Sequence, residues 1–499
     1  MKFTQYYLDC LSQASYLIGD ETTGRAVVVD PRRDINEYVQ DATEAGLTIE
    51  LVIETHFHAD FLSGHLELAE ATGAEIAFSS VAETEFPSRE LAHGERITLG
   101  DVILEVRHTP GHTPESISIV VWEHTDDQSP YGVLTGDTLF IGDVGRPDLL
   151  SSIGFTKEEL AASLYDSLHE QIMTLPDSTR VYPAHGAGSA CGKNLSTDTV
   201  STIGEQRTTN YALLADSKET FFDLVTEGQP PAPGYFVFDA VLNRQDRKLL
   251  DETTLPDALS LTEFDRLVVG GAMVVDGRDP DEFGHGHLAG SVNVGLNGRY
   301  AEFAGSVIPH DVDIVLVVDE GLELEAKNRL ARIGFDRVVG FLQHPYVAML
   351  DHPDRVRQAS RVTAVDFDTR RDDLDGLQLV GRRKPAPPGR VQRCLRHPRR
   401  IRRLARSAAG VRLKDDLLLP SSPLSHFAFP LTNGAPSWPT PKNFNTSPTW
   451  PEHRSRRSMP TRSMHWSATE RSRSTSVIRT SMPPITSLVR SASAAASSR

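Results

Sequence analysis

The chain has 499 residues, 39% of them hydrophobic, and a formal net charge of −17. That length suits about three domains of ~150 residues, and the composition excludes collagen-like, coiled-coil and wholly disordered proteins. Because no run of ~18 apolar residues occurs and the first residues lack a signal-peptide core, we predict neither a membrane span nor secretion. Three cysteines are too few for a disulfide framework, so we expect a cytoplasmic protein.

Charge divides the chain into two differently composed parts. Residues 381–499 hold 23 Lys and Arg against 4 Asp and Glu, which leaves 28 against 64 for residues 1–380. A surface as anionic as that of the first part repels nucleic acids and acidic membranes, so neither is an expected partner. The second part is rich in Arg, Ser and Pro and shows no helix or strand period. We predict an irregular tail that is disordered or read out of frame.

Short apolar runs alternate with amphipathic stretches through residues 1–240, a pattern that predicts an α/β layered domain. In chain order, the predicted strands are Ala26–Val29, Leu51–Ile53, Val102–Val106, Ile117–Val121 and Gly132–Leu134, and the predicted helices are 34–45, 64–72 and 157–174. The Pro- and Gly-rich segment 229–234 predicts a stiff linker after this domain.

A second α/β domain is predicted over residues 255–350. Its short β-branched runs are bounded by Gly or Asp and are typical of buried parallel strands. They are Leu267–Val269, Met273–Val275 and Ile314–Val318. Residues 360–380 begin a similar pattern, which stops where the basic tail starts.

Four polar segments each follow a predicted strand and carry side chains that bind metals. The first is Thr55–His65, in which two imidazoles and a carboxylate alternate, and the later three place one such side chain each at His112, Asp137 and His185. Strand ends in α/β folds converge on one edge of a sheet, so these side chains are expected to share a cleft. Imidazole and carboxylate groups in one cleft predict a metal site.

The order His-x-His-x-Asp, Gly-His, Gly-Asp, His resembles the metallo-β-lactamase superfamily, and the resemblance implies an αββα sandwich with metal at its upper edge. A closer resemblance, to persulfide dioxygenases fused to rhodanese domains, covers residues 1 to about 380. It is carried by the segments 55–61, 145–149, 182–188 and 201–207. The superfamily fold hosts hydrolases as well as oxygenases, so the residues around the metal have to decide the chemistry.

Position 61 separates these two chemistries. Binuclear hydrolases of the superfamily, such as glyoxalase II, carry a second-metal His there, whereas Phe61 offers no ligand. The resemblance then implies one metal per chain, held by two imidazoles and one carboxylate from His56, His112 and Asp137. This set of three donor groups suits Fe(II), with Zn(II) as the alternative. The resemblance also implies three residues that orient these ligands or hydrogen-bond bound water: His58, Asp60 and His185.

Two further side chains have alternative roles. Arg146 either attracts an anionic substrate or is a structural Arg in a turn, and Cys191 is either a persulfide relay or a bystander thiol. Glutathione-using relatives carry an acidic residue and an aromatic residue after the last His, where this chain has Gly186 and Ala187. Glutathione persulfide is therefore disfavoured, and coenzyme A persulfide, another small-thiol persulfide or a protein-bound persulfide stay open.

Residues 273–294 resemble the first half of a rhodanese domain. A working rhodanese places a Cys at the start of the loop after the strand that matches 314–318. The loop here, Asp319–Glu323, has no thiol and carries carboxylates that would repel a sulfane anion. We therefore predict a rhodanese-like domain at 255–350 without the catalytic Cys, and the start of a second such domain at 360–380.

The leading hypothesis is a mononuclear non-haem Fe(II) persulfide dioxygenase of sulfide metabolism, which oxidises a small-thiol persulfide with O₂ to sulfite and thiol. Its expected partners are the persulfide and O₂, and formation of a homo-oligomer is left open. One alternative is a zinc-dependent hydroxyacyl-thioester hydrolase like glyoxalase II, which Phe61 argues against. The other is a non-enzymatic sulfur-carrier or interaction module.

Overall fold

A computed structural model describes residues 1–149 and 154–359. Contacts divide the chain into two units, Met1–Leu413 and Lys414–Arg499, and every described residue belongs to the first. The predicted start of a second rhodanese-like domain (360–380) and the predicted basic tail (381–499) lie outside the described residues. No helix in the described part of the chain has the length and hydropathy that crossing a bilayer needs.

The N-terminal lobe, residues 1–242, contains two six-stranded sheets. The first has the strand order β1 to β6, with β1 (Lys2–Leu8), β2 (Gln13–Asp20), β3 (Arg25–Val29), β4 (Thr48–Ile53), β5 (Glu75–Ser79) and β6 (Arg89–Leu91). The second contains β7 (Arg96–Thr98), β8 (Ile103–His108), β9 (Ile117–Trp122), β10 (Gly132–Gly136), β11 (Arg180–Pro183) and β12 (Ser201–Thr202). Its strand order is β12-β11-β10-β9-β8-β7. The helices are α1 (Asn36–Glu44), α2 (His65–Thr72), α3 (Lys157–Asp166) continued by a π-helix (Ser167–Ile172), α4 (Ile203–Thr209), α5 (Lys218–Thr226) and α6 (Phe236–Leu242).

The two sheets face each other across an apolar core to which both contribute, for example Val27 and Ile53 from the first and Leu104 and Ile119 from the second. Helices α1 and α2 cover the outer face of the first sheet, and α3, the π-helix and α5 cover that of the second. Each sheet buries one apolar face against the other sheet and the opposite face against helices, which explains why the helices lie outside. The predicted αββα sandwich is thereby confirmed.

The predicted strands and helices of this lobe are all present, but several further elements are not among the predictions, including strands β1 and β2. Polar residues interrupt their apolar alternation. Two of these are buried because they find hydrogen-bond partners far along the chain: Gln13 donates to the Asp30 carbonyl, and the Ser15 hydroxyl lies 2.7 Å from that of Tyr38. Burial of a polar side chain costs little when it is hydrogen-bonded, which sequence periodicity does not reveal.

The C-terminal lobe, residues 258–359, has a five-stranded parallel sheet of order β13-β18-β17-β14-β16. Its elements are β13 (Ala258–Leu259), α7 (Leu261–Val269), β14 (Met273–Asp276), α8 (Pro280–His285), β15 (His287–Leu288), β16 (Val292–Asn293), α9 (Tyr300–Val307), β17 (Ile314–Val317), α10 (Glu323–Ala331), β18 (Val338–Leu342), α11 (Pro345–Asp351), a 3₁₀ helix (Pro353–Arg355) and β19 (Val356–Arg357). Strands β15 and β19 form a separate antiparallel pair.

One predicted strand of this lobe is wrong. Leu267–Val269 forms the last turn of helix α7, not a strand. The helix starts at a capping box in which Ser260 and Glu263 each accept the other's backbone N–H, and it ends at Gly270. A capping box and a C-terminal glycine outweigh the strand preference of three β-branched or apolar residues. The other two predicted strands are confirmed as β14 and β17.

Candidate metal centre

The predicted metal-binding segments follow four strands and meet at one edge of the sandwich. His56 follows β4, His112 follows β8, Asp137 follows β10 and His185 follows β11. All four side chains are about 1% exposed. One ligand atom each from His56, His112 and Asp137 lies within 4.8 Å of the other two. The structure therefore brings together the three residues that were expected to hold the metal.

A hydrogen-bond chain sets the tautomer of His56. Asp30, at the end of β3, accepts hydrogen bonds from the backbone N–H and the hydroxyl of Thr55. Since that hydroxyl donates to Asp30, its oxygen is free to accept from Nδ1–H of His56, 3.0 Å away. The Nε2 atom of His56 is left with its lone pair, 3.9 Å from Oδ2 of Asp137. Hydrogen bonding at one ring nitrogen in this way orients the other for metal binding.

The other two imidazoles are oriented by backbone carbonyls. Nδ1 of His112 lies 3.0 Å from the Arg146 carbonyl, and Nδ1 of His185 lies 3.2 Å from the Ser12 carbonyl. A carbonyl only accepts, so each Nδ1 carries the proton and each Nε2 carries a lone pair. These Nε2 atoms lie 3.4 Å from the two different oxygens of Asp137. Three imidazole lone pairs thus surround one carboxylate.

Gly136 is required for this arrangement. It has a positive φ of 51°, which turns the chain at the end of β10 directly before Asp137. A Cβ at this position would also lie 2.7 Å from Oγ1 of Thr55, the atom that orients His56. Glycine meets both demands because it has no side chain and tolerates the left-handed region.

The arrangement fits a divalent cation. In the described structure Nε2 of His56, Nε2 of His185 and both oxygens of Asp137 are buried without a hydrogen-bond partner. Burial lowers the pKa of His56 well below its ordinary value, lowers the pKa of His112 to about 4 and raises the pKa of Asp137 to about 6. Neutral imidazoles and a buried carboxylate that face one another with lone pairs are stabilised by a shared cation. The cluster is therefore a metal-binding site.

His58 and Asp60 flank this cluster in different ways. The ring of His58 lies 4.1 Å from that of His56, and its Nε2 atom turns away to Asp30 at 3.1 Å and Glu54 at 3.5 Å. Burial lowers the pKa of His58, but those two carboxylates outweigh it and raise that pKa well above the ordinary value. Asp60 instead lies beside the cluster, with Oδ2 3.4 Å from Nε2 of His185.

Phe61 is fully buried and belongs to an apolar cluster that joins the two lobes. Its ring lies 4.3 Å from that of His58. It supplies no donor atom, so a second cation would have only His58, Asp60 and His185, whose ligand atoms lie within 4.8 Å of one another.

The geometry at Arg146 favours the structural alternative. Its guanidinium forms a two-point ion pair with Asp148 at 2.7 Å and donates to the carbonyls of Ala190 and Pro230. It is 3% exposed. The charge is thus already paired, and the side chain connects the loop that orients His112 to the segments around Ala190 and Pro230.

Cys191 lies beside the cluster, with a sulfur that is within 4.8 Å of ligand atoms of Asp137 and His185. Burial, reinforced by the charges of Asp60 and Asp137, raises the pKa of the Cys191 thiol well above its ordinary value. A protonated, buried thiol is a poor nucleophile, which favours the bystander alternative over a persulfide relay.

Two residues that support the site were missed by sequence reasoning. Asp30 orients His56 through Thr55, and its position directly after the Val27–Val29 run was a usable signal, because the other site residues also follow strands. Asn243 hydrogen-bonds the backbone of the metal loop, defined here as residues 55–65, from 180 or more positions away. No local pattern marks it.

The loop after β17, expected to lack a catalytic thiol, is closed by its own side chains. The N–H of Gly321 donates to the Glu323 carboxylate at 2.9 Å, so that carboxylate takes up an N–H that could otherwise hold an anion. The Tyr346 hydroxyl lies 2.6 Å from Oε2 of Glu282 and 2.7 Å from Oδ1 of Asp319, so the two carboxylates share its one proton.

Comparison with known proteins agrees with this two-lobe division. Residues 8–185 match the family model of the metallo-beta-lactamase superfamily, and residues 260–349 match that of the rhodanese-like domain. The chain is 31% identical over 233 residues to a Bos taurus protein named persulfide dioxygenase ETHE1, mitochondrial. That alignment covers 46% of this chain and 82% of the bovine one. The Mus musculus protein of the same name is 33% identical over 207 residues, which are 41% of this chain and 73% of the relative.

Both lobes are also similar to a solved structure. A crystal structure of a metallo-beta-lactamase from Staphylococcus aureus subsp. aureus COL is 35% identical, with a TM-score of 0.63. The similarity covers 68% of this chain and 99% of that one.

Proposed function

Because the chain belongs to the persulfide dioxygenase family of the metallo-β-lactamase superfamily, we propose that it is a mononuclear Fe(II) persulfide dioxygenase of sulfide metabolism. The observation that carries the proposal is the convergence of His56, His112 and Asp137 beside a fully buried Phe61. Two imidazoles and one carboxylate are the donor set that non-haem Fe(II) oxygenases use. Fe(II) held by this set would supply the activation of O₂ for attack on sulfur.

The proposed reaction converts R–S–SH, O₂ and H₂O to R–SH, HSO₃⁻ and H⁺. The terminal sulfur is oxidised from −1 to +4; O₂ accepts four of the five electrons, and the inner sulfur takes the fifth as the S–S bond breaks. Both atoms of O₂ enter sulfite, and water supplies its third oxygen. The inner sulfur leaves with the thiol proton.

The residues of this chain would orient the metal ligands and exclude bulk water from the site. Thr55 and the Arg146 carbonyl hold the protons on Nδ1 of His56 and His112, so both Nε2 atoms stay available to the metal. The ligand side chains are buried, which excludes bulk water from reactive species. Asp60 lies close enough to accept a proton from a group bound near His185.

The substrate is proposed to be a small-thiol persulfide other than that of glutathione. Gly186 and Ala187 stand where glutathione-using relatives carry an acidic and an aromatic residue. A Cβ at Gly186 would collide with the Tyr7 hydroxyl, so a side chain at this position requires the Tyr7 ring to shift.

The test is anaerobic purification with metal analysis, followed by O₂ uptake on addition of coenzyme A persulfide or glutathione persulfide. We expect close to one iron per chain, one O₂ consumed per sulfite formed, and faster turnover of the non-glutathione persulfide. Two zinc ions per chain with hydrolysis of lactoyl-glutathione would overturn the proposal in favour of the thioester hydrolase. No turnover of any of these substrates by metal-loaded protein would favour the non-enzymatic module.

A further inference from the structure

The metal loop is an irregular segment, and its buried peptide groups need partners. Five of them are bound by residues that follow the two sheets along the chain. The carbonyls of His58 and Phe61 accept from Nδ2 of Asn243 at 2.8 and 2.9 Å, and the N–H of Ser63 donates to Oδ1 of the same side chain at 2.9 Å. Asn243 directly follows helix α6 and is 1% exposed. One amide therefore uses both its ends to hold three peptide groups of this loop.

The remaining two groups are bound by Tyr235 and Arg332. The Asp60 carbonyl accepts from the Tyr235 hydroxyl at 3.2 Å, and the N–H of Leu62 donates to the Arg332 carbonyl at 2.7 Å. Arg332 follows helix α10 of the C-terminal lobe. Its guanidinium binds back to the N-terminal lobe through Asp34, with Nε 2.9 Å from Oδ1. The C-terminal lobe thus contacts the metal loop directly.

Apolar packing also joins the metal loop to the C-terminal lobe. Ala59 and Phe61 of the metal loop belong to one buried cluster with Tyr300, Ala301 and Ala304 of helix α9. Gly305 on α9 packs so closely on the Tyr235 ring that a Cβ there would collide with it. The position that offers a ligand in binuclear relatives here holds an aromatic ring buried in the contact between the lobes.

We infer that Asn243 is a positioning residue of the metal centre, which holds the metal loop in its ligating conformation with the support of the thiol-free rhodanese-like lobe packed against Phe61 and Tyr235. The inference rests on the metal site of the proposed function, and not on the choice of substrate. The metal ligand His56 and the neighbouring Asp60 lie on either side of the His58 carbonyl that Asn243 binds. A shift of that carbonyl moves both of them.

The test compares two isosteric changes in the full chain. Asn243→Asp keeps the acceptor for Ser63 but places a carboxylate oxygen against two carbonyls. Asn328→Asp is the matched control, because Asn328 donates through Nδ2 to the Glu252 carbonyl and does not touch the metal loop. The readouts are the dissociation constant of Co(II) in competition with a chelator, the visible spectrum of the Co(II) form, and kcat and KM.

We expect Asn243→Asp to weaken Co(II) binding about 10- to 100-fold, the usual effect of losing a residue that orients a ligand. Its Co(II) spectrum should change and kcat should fall more than KM rises, while Asn328→Asp stays within about twofold in each. Co(II) affinity within about twofold of wild type for Asn243→Asp, or equal losses in both variants, would overturn the inference. If Asn243→Asp fails to fold, Tyr235→Phe decides in its place: weaker Co(II) binding with an altered spectrum supports the inference, and unchanged binding overturns it. Wild-type protein that binds one Co(II) but, when loaded with Fe(II), consumes no O₂ on addition of a persulfide would refute the proposed function and leave this inference standing.

Discussion

Each lobe has a polar loop directly after a central parallel strand, and the two loops differ in where their hydrogen bonds go. After β4 the loop presents His56 Nε2, which is buried without a partner, as are both oxygens of the nearby Asp137. After β17 the loop donates the Gly321 N–H to its own Glu323 and shares carboxylates with Tyr346. The first arrangement needs a cation to be satisfied, whereas the second is already satisfied by the protein.

This difference distinguishes a metal-binding site from a loop that offers no such site, although both follow the end of a central strand. Buried polar atoms without partners are costly, so a folded protein retains them where a ligand will satisfy them. In the C-terminal lobe the buried charges pair internally instead, as Arg278 does with Asp276. The rhodanese-like fold persists there as a packing partner of the metal loop.

The largest expected effect is on the chemistry, from Asp137→Ala. The change removes the only carboxylate among the three proposed ligands. We expect O₂ uptake with a persulfide to fall at least ~10³-fold, since a catalytic metal is worth several kcal/mol of barrier. Asp319→Ala in the loop after β17 is the control and should keep its rate within about twofold. If Asp137→Ala retained a tenth of the wild-type activity, Asp137 would not be an essential metal ligand, and the contrast between the metal site and the loop after β17 would fail.

The next effect is on stability, from Phe61→Ala. Phe61 is 0% exposed in the cluster that joins the lobes. Loss of a buried aromatic side chain costs about 3–4 kcal/mol of unfolding free energy. Phe155→Ala, at a residue that is 41% exposed, should change it by less than about 0.5 kcal/mol. Urea unfolding measures both, and a loss below about 1 kcal/mol at position 61 would contradict a tightly packed contact between the lobes.

Metal removal should destabilise the chain by a smaller amount. A cation that binds only the folded state adds about 2.7 kcal/mol when present at 100 times its Kd. We expect the Tm of Co(II)-loaded protein to fall on addition of a chelator, and the same addition to leave the Tm of Asp137→Ala unchanged. An equal fall in both proteins would place the stabilising cation elsewhere.

The smallest expected effect is that of Tyr346→Phe. The hydroxyl lies 2.6 Å from Oε2 of Glu282 and 2.7 Å from Oδ1 of Asp319, on a side chain that is about half exposed. Its loss should cost at most about 1 kcal/mol of unfolding free energy. O₂ uptake should be unchanged, because the loop after β17 takes no part in the reaction. A tenfold lower rate in a folded variant would give that loop a role.

Much of this architecture was predictable from local sequence. Metal-binding residues after four strands predict a shared edge because strands that run in the same direction end at the same edge of their sheet. The lack of a donor at Phe61 and of a thiol in residues 255–350 can be read directly from the sequence. Even the helix that was predicted as a strand carried a local mark, the capping box of Ser260 and Glu263.

Tertiary structure alone decided which polar groups were left for a ligand. Arg146 reads equally well as a substrate-binding or a structural residue until its pair with Asp148 and its bonds to Ala190 and Pro230 are seen. Asn243 has no distinguishing neighbours in sequence, yet it binds the carbonyl of His58, 185 positions earlier. Strand ends and caps follow from contacts within a few residues, whereas the partner of a buried polar group depends on which distant segment packs against it.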